Sequence, residues 1–100
     1  MHTLHIEHPI TDYPTWKRAF DGFAQMRADA GVRSHRVAHP VDDDHHIVVD
    51  LDFDTAAAAA SFREVLRTRV WSRPSASPAL AGEPMARVLV VAEHTGRGGE

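Results

Sequence analysis

A chain of 100 residues, 43% hydrophobic and 25% charged, has room for one modest core and not for two. Its net charge of −3 arises from interspersed charges with no basic block, which argues against the phosphate-neutralising stripe of a nucleic-acid binder. No apolar run approaches the roughly 20 residues that cross a bilayer, and the absence of cysteine removes disulfides, thiolate metal sites and thiol nucleophiles. The opening MHTLHIEH lacks the basic-then-apolar pattern of an export signal, so a cytoplasmic location is expected.

Leu4 and Ile6 alternate with Thr3, His5 and Glu7, the period of two of a half-buried strand. Asp12 is placed to cap a helix with Pro14 in its first turn, and Trp16, Ala19, Phe20, Phe23 and Met26 or Arg27 recur at helical spacing up to Gly31. Gly22 inside that run costs about 1 kcal/mol relative to Ala, which close packing of helix on sheet would justify. A second strand is expected over residues 32–39, stopped by Pro40. A turn at Asp42, Asp43 and Asp44 leads into residues 46–53, the clearest strand because of its β-branched content. Thr55 or Asp54 caps a second helix that carries Phe62, Val65, Leu66 and Val70. The Pro- and Ser-rich stretch 71–84 reads as a lid or crossing loop, with a single helical turn at Ser77 and Pro78. A last strand runs from about residue 85 to 93, and residues 95–100, with three glycines, read as a disordered tail.

The order β, α, β, β, α, β predicts an α+β fold of the ferredoxin-like βαββαβ type: one domain over residues 1–94, a four-stranded antiparallel sheet with two helices on one face. If Ile47, Val49 and Leu51 face the helices, the other face still carries Val48, and the last strand is apolar on both sides through Val88, Leu89, Val90 and Val91. Two helices cannot cover both faces, so a second copy of the sheet is the expected partner.

Three stretches, LHIEHPITDYPTWKRAF, HRVAHPVDDDHHIVVDLDFDT and RVLVVAE, together resemble the dimeric α/β-barrel superfamily that includes the antibiotic-biosynthesis-monooxygenase-like proteins. That resemblance implies two facing sheets that enclose a pocket in each subunit. It also implies activities ranging from cofactor-independent oxygenation of polyphenolic compounds through haem degradation and isomerisation to no assigned chemistry, so the fold does not select a function.

With Leu4 and Ile6 turned to the helices, His5, Glu7 and Asp50 share the opposite side. The second strand is open between His35 with Val37 and His39, and Ser34 with Arg36, because a slip of one residue exchanges the faces. His5, His35 and Asp50 are the candidate catalytic set, imidazole as base and carboxylate as its orienting partner, with Glu7, Trp16 and Trp71 as ligand-binding candidates. The same polar groups also suit solvated strand positions, and the helix aromatics suit a core. His45 and His46 read as a solvated turn. No spaced metal-ligand motif, GxSxG elbow or phosphate loop occurs, so neither metal nor cofactor is expected. The resulting expectation is a monooxygenase-like dimer acting on an aromatic or polyketide-like molecule, the alternative being a non-catalytic ligand-binding or structural dimer.

Overall fold

The computed structural model describes residues 1–96; the expectation for the tail beyond them lies outside the described residues. Strand β1 (His2–Pro9) is followed by α1 (Tyr13–Gly22), α2 (Ala24–Ala30), β2 (Ser34–Ala38), β3 (His46–Phe53), α3 (Ala56–Val65) with a π-helical continuation (Leu66–Val70), and β4 (Met85–Val90). The sheet order is β2-β3-β1-β4 with every neighbour antiparallel, as two βαβ units interleaved around a hairpin require.

The Asp12 carboxylate accepts the Thr15 N–H at 2.9 Å, and the Thr55 hydroxyl accepts the Ala58 N–H at 3.1 Å, so both expected caps start their helices. Gly31 closes α2 in the left-handed conformation, φ 92°. The first helix is not continuous as expected: it breaks at Phe23, whose φ of −101° and ψ of 17° leave the helical region. Nor does Gly22 allow a close approach, because a Cβ there would meet nothing within 4 Å. It marks the weak point in the helix, and the chain turns beside it. The expected helical turn at Ser77 is a hydrogen-bonded turn from Leu80 N–H to the Ser77 carbonyl.

Alternation decides the two sheet faces. Leu4 and Ile6 of β1 and Ile47, Val49, Leu51 and Phe53 of β3 are buried against the helices, where Phe53 meets Phe62 of α3 with ring centroids 6.0 Å apart. Register places Ala86 opposite Ile6 and Val88 opposite Leu4, which gives β4 the same inward side. The other face is less apolar than the sequence implied. Its centre is a polar ladder of Thr3, His5, Glu7, Asp50 and Asp52, and its exposed apolar residues gather on β4 at Met85 and Leu89. Val90 pairs with His2 and takes the helix side at the end of the strand. The apolar surface left uncovered is thus concentrated on this one edge strand.

Candidate functional site

On the open sheet face the ladder forms two hydrogen-bonded groups, one running from Asp50 through His5 and Glu7 to His46 and one centred on Asp52. His5 sits opposite Asp50 on β3 and Arg87 on β4. Its Nδ1 donates to Asp50 Oδ1 at 2.6 Å and its Nε2 donates to Glu7 Oε2 at 2.8 Å, while His46 Nε2 donates to Glu7 Oε1 at 3.0 Å. Two carboxylates on one ring favour a hydrogen on both nitrogens, the imidazolium form. The Glu7 bond and the Asp50 pair accordingly raise the His5 pKa over the opposing desolvation, and the two histidines hold the Glu7 carboxyl below its ordinary range. Asp52 accepts from Thr3 and Ser34, each at 2.7 Å. Register brings Arg36 opposite Asp50 and turns His35 to the helix side, where its ring meets Phe20 edge-on at 5.3 Å. His35 therefore does not join His5, Glu7 and Asp50. His46, read as part of a solvated turn, does.

The opposite side of β1 holds a different arrangement. Between sheet and helices lies a cavity of about 80 Å³, floored by Ile6, Val49 and Leu51 and walled by Trp16 and Phe20. The expected ligand-binding residues Trp16 and Trp71 both line it, whereas Glu7 does not. Segment 71–84 covers it as a lid. Thr11 N–H donates to the Ala79 carbonyl at 2.9 Å, Ala81 N–H donates to the Pro9 carbonyl at 3.2 Å, and Ser77 Oγ donates to the Val70 carbonyl at 2.9 Å. The lid is thus tied to the chain just beyond β1.

Two ionisable side chains line this apolar space, and sequence reasoning assigned neither a functional role. His8, 5% exposed, follows Leu4 and Ile6 on the inward face of β1. Its Nδ1 lies 3.0 Å from the Pro9 carbonyl, an acceptor only, so Nδ1 carries the hydrogen and Nε2 keeps its lone pair. Burial holds the imidazole below its ordinary pKa, against the opposing pull of the Pro9 bond. Trp71 meets the ring edge-on at 6.4 Å. The signal for His8 was present in the alternation of β1. Arg27 of α2 is 8% exposed, with its guanidinium carbon 3.7 Å from the Phe20 ring centroid and Nη1 donating to the Phe20 carbonyl at 2.6 Å. Helical spacing had left this face of α2 open between Met26 and Arg27, and the structure gives the cavity position to Arg27. Among the described residues no group of three or more His, Asp or Glu side chains is arranged to hold a metal ion.

No family model and no curated protein matches the chain. Solved structures do. One is a dimeric ferredoxin-like protein from an uncultured marine organism, 10% identical, with a TM-score of 0.63 over 97% of this chain and 100% of that one. The fold is ferredoxin-like. A second is SnoaB, a cofactor-independent oxygenase from Streptomyces nogalater, 20% identical, TM-score 0.63, covering 94% of each chain. A third is an uncharacterised NIPSNAP domain protein from Burkholderia xenovorans, 17% identical, TM-score 0.63, over 96% of this chain and 99% of that one. At these identities the likeness concerns the ferredoxin-like fold alone, and at that level it agrees with the resemblance to the dimeric α/β-barrel superfamily drawn from the sequence. No helix of the described residues is long and apolar enough to cross a membrane.

Proposed function

We propose that this chain binds a planar, weakly acidic small molecule between its helices and sheet and uses His8 Nε2 to remove a proton from it. The observation that carries this reading is a buried imidazole that lines an apolar cavity and whose Nδ1–H is committed to the Pro9 carbonyl, which leaves the other nitrogen its lone pair. A general base needs a free lone pair. His5 has none in the imidazolium form that its two carboxylate partners favour. The base is therefore assigned to His8 in place of His5 or His35, and the ladder of Glu7, His5 and Asp50 to the sheet face.

Proton removal from an activated methylene of an electron-rich ring yields a carbanion that is itself a reductant towards oxygen. In the net change the methylene carbon loses both hydrogens and gains one oxygen atom of dioxygen as a carbonyl, while the other oxygen atom leaves with the two hydrogens as water. All four electrons that reduce dioxygen come from the substrate carbon, so no cofactor is needed. Cofactor-independent oxygenation by SnoaB on the same fold supports that class of chemistry for this chain. The cavity, at about 80 Å³, is smaller than the ~150 Å³ engineered cavity that accepts benzene, so the lid must shift to admit a ring.

A second copy of the chain is the proposed partner on the open sheet face. Leu89 and Met85 are exposed there, Arg36 and Arg87 stand beside Asp50 and His5, and a two-fold contact would bring opposite charges together. The structural neighbour described as dimeric supports the same reading.

The test uses 2-indanone, a planar ketone with acidic methylenes, and follows their exchange with deuterated water by NMR. The protein is expected to accelerate exchange, and His8→Gln to lose about 100-fold or more of that acceleration. The rate should rise with pH through a pKa below the ordinary histidine value and then stay flat, because the base acts only when neutral. Binding of the ketone without accelerated exchange would favour the non-catalytic reading, for which the small cavity speaks.

A further inference from the structure

Arg27 is a cation placed at an apolar cavity, with no carboxylate on it among the described residues. Lys17, Arg33 and Arg67 each sit on a carboxylate within 3 Å: Asp21 at 2.6 Å, Asp54 at 2.6 Å and Glu64 at 2.9 Å. Arg27 is more deeply buried than any of them and has no such partner among the described residues. Asp21, the nearby acid that favours its charge, is held by Lys17. One of the five N–H donors of a guanidinium is spent on the Phe20 carbonyl. The others make no hydrogen bond among the described residues, on a side chain that lines the cavity bordered by His8. A cation at an apolar cavity with N–H donors to spare suits an anionic partner, since charge away from bulk water is favoured by pairing.

We infer that Arg27 is a binding subsite for an anionic oxygen of the ligand, so that the molecule accepted by the cavity is an aromatic or enolic compound bearing a carboxylate or phenolate. This rests on the proposed cavity reading and narrows it. The planar guanidinium lies against the Phe20 face, which fixes its plane and leaves its free edge for the two parallel hydrogen bonds that a carboxylate takes best. His8 and Arg27 then divide the work. The neutral imidazole takes the proton, and the fixed charge of Arg27 stabilises the negative charge of the ligand in a space that excludes water.

The experiment compares three ligands of one shape, naphthalene, 2-naphthol and 2-naphthoate, by equilibrium dialysis against the full-length protein at neutral pH. Wild type is expected to bind 2-naphthoate about 10- to 100-fold more tightly than naphthalene. Arg27→Met, which keeps much of the aliphatic stem, should erase that preference while holding naphthalene, and Arg27→Lys should restore part of it. Equal wild-type affinity for all three ligands would overturn the inference and leave the cavity reading intact. Loss of naphthalene and naphthoate binding in equal measure from folded Arg27→Met would assign Arg27 to structure and overturn it as well. Failure of wild type to bind any of the three would remove the cavity reading itself. Because the wild-type comparison needs no variant, the inference stays testable if Arg27→Met does not fold.

Discussion

Gly82→Ala perturbs the lid at its tightest contact. A Cβ at position 82 would stand 2.6 Å from Pro9 Cγ and 3.3 Å from Pro9 Cδ, where carbon atoms prefer about 3.5–4.0 Å. The proline ring cannot rotate away, so the lid must withdraw by about 1 Å. Gly82 is not among the glycines with positive φ, so proximity and not backbone conformation demands glycine there. Withdrawal weakens the bond from Ala81 N–H to the Pro9 carbonyl, about 1 kcal/mol, and overpacking costs about 1–3 kcal/mol. The stiffer unfolded chain offsets about 0.4–1 kcal/mol of this. The net loss is about 2 kcal/mol, roughly a 10 °C fall in Tm for a domain of this size. Urea melts followed by tryptophan fluorescence, with hydrogen exchange at the Ala81 amide, measure both consequences. A Tm at or above wild type with the Ala81 amide still protected would refute the claim that this contact seats the lid.

Histidine titration by NMR should separate two rings on one strand: His5 titrates above and His8 below the ordinary value, and Asp50→Asn brings His5 down. The signs for stability are opposite. The raised His5 contributes stability below its unfolded pKa that is lost as pH climbs through its folded pKa. The depressed His8 costs stability as pH falls from its unfolded pKa to its folded one, so His8→Gln should flatten that part of the acid limb. Leu89→Asp, on the exposed part of β4, is expected to convert the sedimenting species from dimer to monomer at micromolar concentration without changing the helical circular dichroism. A wild-type monomer under the same conditions would remove the sheet-face partner.

Element order, both helix caps, the extent of β3 and the pairing of His5 with Asp50 were all legible in the sequence. Each depends on local rules: side-chain oxygens that satisfy helix N–H groups, and a period of two that sends alternate residues to opposite faces. His8 obeyed the same rule and could have been read as inward-facing from Leu4 and Ile6. It was lost among eight histidines because histidine is common on wet surfaces. The solvated reading of His46 failed for a related reason, since its partner Glu7 lies 39 positions away in the chain.

By itself the sequence determined which residues alternate, where helices begin, and that one sheet with helices on one side is the compact solution. Only the tertiary structure decided the register that sent Arg36 rather than His35 to the open face, and the lid that covers His8. Both depend on contacts between segments far apart in the chain, and no local preference for φ, ψ or hydrophobic period contains them. Burial then gave the same residue type different chemistry: paired with two acids on the sheet face, histidine holds its proton, and enclosed by apolar walls it gives the proton up.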